Sequence, residues 1–180
     1  TPAHDQAPAE LFKHSKEARK MLRNLCREIW DGEFVPGDMI LGELVMLHKK
    51  GDKNDLWNYR PVCLLSHALK ILSRLMLTKL APYVEAHVAD WQAGFRSERG
   101  CRDGTLTTGT VINNAIREGK RVACCFIDFA DAFSSISHNY LIIALARAKV
   151  PAKLQRLVLA TYEQAAARVR IDQLNGETVF

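Results

Sequence analysis

The sequence predicts an α+β fold, on three observations. Two long stretches, 8–30 and the one opening at Ser66, repeat apolar residues at helical spacing. Between them, short β-prone runs flank a charged turn. Further along, a continuous apolar run ends on Asp128, and an Asn175-Gly176 pair marks a hairpin close to the last residue.

In chain order, Pro8 to Trp30 reads as an amphipathic helix, with Leu11, Phe12, Met21, Leu22, Leu25, Cys26 and Ile29 apolar and Lys and Arg between them. Asp31-Gly32 ends it, and Pro36-Gly37-Asp38 prolongs the break. Glu43 to His48 is a strand, closed by the turn from Lys49 to Asp55, with Val62 to Leu65 returning. Ser66 reads as the N-cap of a long helix whose apolar side is Leu69, Leu72, Leu75, Met76 and Leu80. Pro82 is expected to kink or end that helix.

Gly94 to Gly104 is a basic loop, and a polar helix through Ile112 and Ile116 follows. Gly119-Lys120 turns the chain into a strand from Arg121 to Asp128. Its apolar residues are continuous rather than alternating, as in a strand covered on both faces. Helices follow through Leu141–Ala148 and Pro151–Ala166, the second with proline in its favoured first turn. Ser137-His138 is read as capping chemistry rather than a nucleophile and base, since neighbouring residues point apart. Arg168 to Phe180 alternates Val169, Ile171 and Leu174 into the Asn-Gly turn.

Composition places bounds on function. With 48% hydrophobic and 25% charged residues, the 180-residue chain is ordinary for a globular protein. No uncharged apolar stretch reaches the ~18 residues of a membrane span, and no membrane partner is expected. The start is neither a signal nor a transit sequence and lacks Met, which points to a chain processed or cut from something longer. Cys26, Cys63, Cys101, Cys124 and Cys125 are odd in number without a C-x-x-C pair, which argues for a reducing, intracellular setting. His14, His48, His67, His87 and His138 show no i, i+4 pairing with acidic partners, so no zinc site is expected. The net charge is +5, and the segment from Val45 to Arg102, with ten Lys and Arg against five Asp and Glu, holds the whole surplus. Such a segment suits a phosphate-rich partner, although a solvated basic face is the plain alternative.

Chemistry concentrates in three segments: Asn58-Tyr59-Arg60-Pro61-Val62-Cys63-Leu64-Leu65-Ser66, then Gln92-Ala93-Gly94-Phe95-Arg96, then Phe126-Ile127-Asp128-Phe129 through Ala132-Phe133. Taken alone, Asp128 is as readily a turn or helix-capping carboxylate, and Phe133 an ordinary core residue. In this order and spacing, the three segments closely resemble the reverse transcriptase domain of non-LTR (LINE-type) retrotransposons. Pro8-Ala9-Glu10-Leu11-Phe12-Lys13-His14, Lys49-Lys50-Gly51-Asp52-Lys53 and the terminal Asn-Gly extend the likeness over essentially the whole chain.

The resemblance implies helix-rich fingers over 1–120 and, over 121–180, the first part of a polymerase-type palm, an incomplete right-hand fold. It implies RNA-templated addition of deoxynucleoside triphosphates to a DNA primer, with Mg²⁺, in the nucleus at a nicked target. Asp128 matches the family's first catalytic aspartate, a ligand of Mg²⁺, and the Phe129 carbonyl is a further hard oxygen donor. Phe133 falls where the family places the aromatic that excludes a ribose hydroxyl. Arg60 is the better match for a triphosphate clamp, its guanidinium offering a forked set of donors. Arg96 is a second nucleotide contact that equally suits template phosphates, together with Arg99 and Arg102. Lys49, Lys50 and Lys53 match nucleic-acid contacts on the turn.

Asp131 and Ser134 depart from the residues usual in this family. The larger departure is that no two aspartates are adjacent anywhere, although the family needs such a pair on a later palm hairpin. One carboxylate does not hold two divalent ions about 3.5–4 Å apart. The chain is therefore expected not to polymerise DNA by itself. A non-catalytic nucleic-acid-binding remnant of a retroelement is the alternative reading.

Overall fold

Ser15 splits the helix expected over 8–30 into α1 (Ala9–His14) and α2 (Lys16–Gly32). Its hydroxyl accepts the N–H of Ala18 at 3.1 Å, offering the backbone a cap in place of helix continuation. Arg19 reinforces the joint by donating to the carbonyls of Phe12 (3.3 Å) and Lys13 (2.7 Å). The computed structural model describes residues 7–129, 132–170 and 178–179, which divide into two units: Thr1–Leu80 with Pro151–Phe180, and Ala81–Val150.

In the first unit, α2 ends at Glu33 in the left-handed region, followed by a short helix α3 (Gly37–Ile40). The chain then enters β1 (Gly42–His48), which pairs antiparallel with β2 (Tyr59–Leu64) in the register Val45↔Val62. β2 starts earlier than expected and takes in Pro61. Proline is tolerated because β2 is the edge strand of the order β2-β1-β3-β4. β3 (Ala167–Arg170) lies parallel to β1, and β4 (Thr178–Val179) antiparallel to β3. Two strands do pair at this end, but the register Val169↔Thr178 is not the one a two-residue Asn175-Gly176 turn sets, which would face Thr178 with Gln173; the turn itself lies outside the described residues. The described residues from 151 on, expected in the same stretch as Asp128, thus group with the described residues up to 80.

Ser66 caps α4 (His67–Glu85) as expected: its buried hydroxyl accepts the N–H of Leu69 (3.0 Å) and donates to the carbonyl of Met39 (3.1 Å). Leu69, Leu72 and Met76 are buried, whereas Leu75, placed on the same face by the sequence, is half exposed. They pack in this unit's core with Leu22, Ile29, Val35, Met39 and Ile40, and with Leu154, Leu157 and Val158 of α7 (Ala152–Glu163). The ammonium groups of Lys79 and Lys153 lie 4.7 and 5.4 Å from the Trp30 ring centroid, tying α2 to α4 and α7. Pro151 precedes α7 as its N-cap rather than forming its first turn.

Pro82 does not end α4, which runs on to Glu85; the proline removes one N–H to C=O bond, and it does so at an exposed position in the last turn rather than in the helix interior. In the second unit the polar helix begins at Cys101 rather than after Gly104, because the Asp103 carboxylate accepts the N–H of Gly100 (2.7 Å) and fixes the start of α5 (Cys101–Arg117). Gly119 makes the expected turn with φ +67°. Ser137 caps α6 (His138–Arg147) by accepting the N–H of Tyr140 at 3.2 Å. Among the described residues, the buried apolar ones of this unit are Leu145, Ala148 and Val150.

Candidate functional site

The strand expected from Arg121 to Asp128 is not present. Residues 121–129 have no regular secondary structure, and Phe126, Ile127 and Phe129 are exposed. An apolar run becomes a strand only when a neighbour takes up its N–H and C=O groups. Among the described residues no strand pairs with this one; all ladders belong to the first unit. Asp128 is consequently exposed on an irregular segment rather than at the mouth of a buried strand. Asp131 lies outside the described residues.

Elsewhere in the second unit, two of the expected site residues, Phe133 and Arg96, meet partners that their motifs do not pair with them. The ring of Phe133 meets that of Phe95 edge to face, centroids 5.8 Å apart and planes at 86°. Phe133 is nonetheless 78% exposed, so its ring is not packed into a core. The Arg96 guanidinium donates to the Glu85 carboxylate at 2.8 and 2.9 Å and to the carbonyl of Ala89 at 3.1 Å. Arg99 and Arg102 line an open cleft at the start of α5. Phe95 belongs to the Gln92–Arg96 segment, but nothing in the sequence pairs it with a residue 38 positions on, and Glu85 carries no local signal.

In the first unit, Arg60 is exposed on β2 opposite Leu47. Lys49, Lys50 and Lys53 are exposed on the β1–β2 turn. That turn is closely braced. The Asn58 side chain donates to the carbonyl of Asp52 (2.9 Å), the Tyr59 hydroxyl to that of Lys53 (2.9 Å), and the Asp52 carboxylate accepts the N–H of Asn54 (2.9 Å). Gly51 takes φ +87°, and a Cβ there would come within 2.7 Å of the Asn58 amide nitrogen. An apolar groove of about 560 Å³, lined by α2 and α4 residues including Leu22, Cys26, Leu75 and Met76, contains none of the expected site residues.

The carboxylate of Asp128 and the carbonyl of Phe129 are hard oxygen donors, the class Mg²⁺ prefers, but two donors fall well short of its octahedral shell. Among the described residues no three His, Cys, Asp or Glu side chains cluster to hold a metal. The described residues therefore do not by themselves complete a metal shell. No helix among the described residues is long and apolar enough to cross a membrane.

Residues 47–178 match the family model of the reverse transcriptase (RNA-dependent DNA polymerase). The chain is similar to the Retrovirus-related Pol polyprotein from type-1 retrotransposable element R2 of Popillia japonica, with 23% identity over 137 residues, 76% of this chain and 19% of that protein. The corresponding protein of Nasonia vitripennis is 22% identical over 135 residues, 75% of this chain and 13% of its own length. The chain thus spans less than a fifth of the length of these curated relatives. The family match extends over all three motifs read from the sequence, and the chain belongs to the reverse transcriptase family, of the kind carried by non-LTR retrotransposons.

Proposed function

We propose that this chain serves RNA-templated DNA synthesis as a binding and positioning part, and that by itself it does not polymerise. Residues up to 120 act as fingers and those from 121 as the opening part of a palm in a right-hand arrangement. Arg60 forks onto triphosphate oxygens. Phe133 lies under the sugar and excludes a 2′-hydroxyl, its face steadied by Phe95. Lys49, Lys50 and Lys53 hold phosphates of template or primer. Asp128 contributes one carboxylate to the divalent-metal chemistry of the complete enzyme.

The observation that carries this reading is the exposed Asp128 carboxylate, which has no partner among the described residues, within a family match that runs through both fingers motifs. A carboxylate serving only as a cap would be expected to accept a neighbouring N–H, as Asp52, Asp55 and Asp103 do here. The lone carboxylate also supports the second reading, a binding remnant without chemistry, for the isolated chain.

Primer extension on a homopolymer RNA template with labelled deoxynucleotides and Mg²⁺ tests the proposal. The chain is expected to bind the template–primer in a salt-dependent way and to incorporate nothing. Incorporation that disappears in Asp128→Ala would overturn the inactivity, and absence of binding at low salt would overturn the positioning role.

A further inference from the structure

The β1–β2 turn holds a side chain that none of the roles above uses. Leu56–Asn58 forms a single 3₁₀ turn whose start is capped by the Asp55 carboxylate accepting the N–H of Trp57 at 3.0 Å. Trp57 at its centre is 92% exposed. An indole this open contributes almost nothing to burial, so stability does not account for it. Nor does it sit on a slack loop. The bonds from Asn58 and Tyr59 to the turn carbonyls, the Lys49 N–H on the Asn58 carbonyl (2.7 Å), and the His48–Tyr59 ring contact at 5.2 Å fix the backbone on both sides of it.

We propose that Trp57 is a stacking platform for an unpaired base of a single-stranded nucleic acid whose phosphates meet Lys49, Lys50 and Lys53. This deepens the proposed function and rests on its assignment of those lysines. Three considerations select this ligand. The three ammonium groups have no ion partner among the described residues, so each is available to a phosphate. Lysine is depleted from protein–protein interfaces, which disfavours a protein partner for the same surface. In a duplex the bases are stacked on each other and only an unpaired base offers its π-face to an indole, a contact open to every base and to ribose or deoxyribose strands. The braced turn lowers the ordering cost of that contact.

The test is binding of the full 180-residue chain to fluorescent 12-mers of oligo(U) and oligo(dT) and to a 12-base-pair duplex, read by anisotropy across a salt series. Trp57→Ala is expected to weaken single-strand binding about tenfold, leave duplex binding unchanged, and leave the salt slope unchanged. Trp57→Phe, which keeps an aromatic face, is expected to restore most of the loss. The Lys49→Ala/Lys50→Ala/Lys53→Ala variant is expected to weaken both probes and to lower the salt slope by about 2–3. The stronger of the two single-strand arms names the strand that occupies the site. Trp57→Ala equal to wild type on single strands, or equally weakened on duplex, overturns the platform while a weakened lysine variant leaves the proposed function standing. A chain that binds no probe overturns both.

Discussion

The Arg96 guanidinium is anchored on the Glu85 carboxylate through two nitrogens, at 2.8 and 2.9 Å, with the Arg96 side chain only 13% exposed against 42% for Glu85. A third nitrogen reaches the Ala89 carbonyl. The arginine of the Gly-Phe-Arg motif thus fastens the 86–100 loop back onto the end of α4. That loop holds Phe95 and Glu98 at φ +60° and +59°, a region non-glycine residues occupy only when their surroundings insist.

Arg96→Ala is therefore expected to destabilise the second unit by about 1–3 kcal/mol, the usual cost of losing a charge-assisted bond set. Arg96→Lys should recover little, because an ammonium does not reproduce the fork. Hydrogen exchange of the amides from 86 to 100 measures it directly: their protection should fall while that of the β1–β2 ladder is unchanged. Equal protection in Arg96→Ala would show that the loop is held by something else.

A second prediction concerns Gly42, buried at the start of β1. A Cβ at this position would collide with the Cys63 sulfur on the paired strand and meet Leu65 Cδ2 at 3.3 Å. The Gly42 N–H is also fixed, donating to the Ala166 carbonyl at 2.9 Å. Gly42→Ala is expected to lose about 1–3 kcal/mol in urea denaturation, as overpacking does. Adding Cys63→Ala should return most of it, since the clash is with a side chain rather than backbone.

These two sites show where the sequence was legible. Helices with a clear cap and period were read well: Ser66 and Ser137 cap where expected because a hydroxyl before an apolar helical run satisfies an orphan N–H locally. The β1–β2 hairpin was likewise visible, bounded by its charged turn. The run ending at Asp128 was misread because a period-free apolar stretch signals a strand only if a neighbour completes the ladder, and that neighbour is not a local property of the sequence. Ser15 was missed because its lysine-rich flanks hide a cap inside an otherwise continuous helical pattern. Of the candidate site, the motif residues were legible one by one, whereas the Phe95–Phe133 and Glu85–Arg96 pairings depend on how the loops return.

Asp128 gives a third prediction. Its carboxylate is exposed and accepts no hydrogen bond among the described residues, so Asp128→Asn should change stability by no more than about 0.5 kcal/mol. For the same reason Mg²⁺ or EDTA should leave the melting temperature of the isolated chain essentially unchanged, since a site that does not hold the ion gains nothing by mass action. A rise in melting temperature with millimolar Mg²⁺ that vanishes in Asp128→Asn would reveal a metal site that the described residues do not form.

The last prediction rests on Glu33 and Arg156, 123 residues apart, whose side chains meet in a two-point pair between the end of α2 and α7. The hydrogen bond from Arg156 is the main cause that lowers the Glu33 carboxyl below its ordinary 4.5, outweighing the opposing effect of burial, with the Arg156 and Lys153 charges adding to it. A carboxyl held lower in the folded chain than in the unfolded one stabilises the fold above its unfolded value and ceases to do so as pH falls through the folded one. Glu33→Gln should therefore melt below wild type at neutral pH, and the gap should close as the solution is acidified past the ordinary carboxylate range. Because both groups face solvent, the gap should also narrow with added salt at neutral pH. A difference that stays constant from neutral pH into strong acid would mean that Glu33 acts through its left-handed backbone position at the end of α2 rather than through its charge.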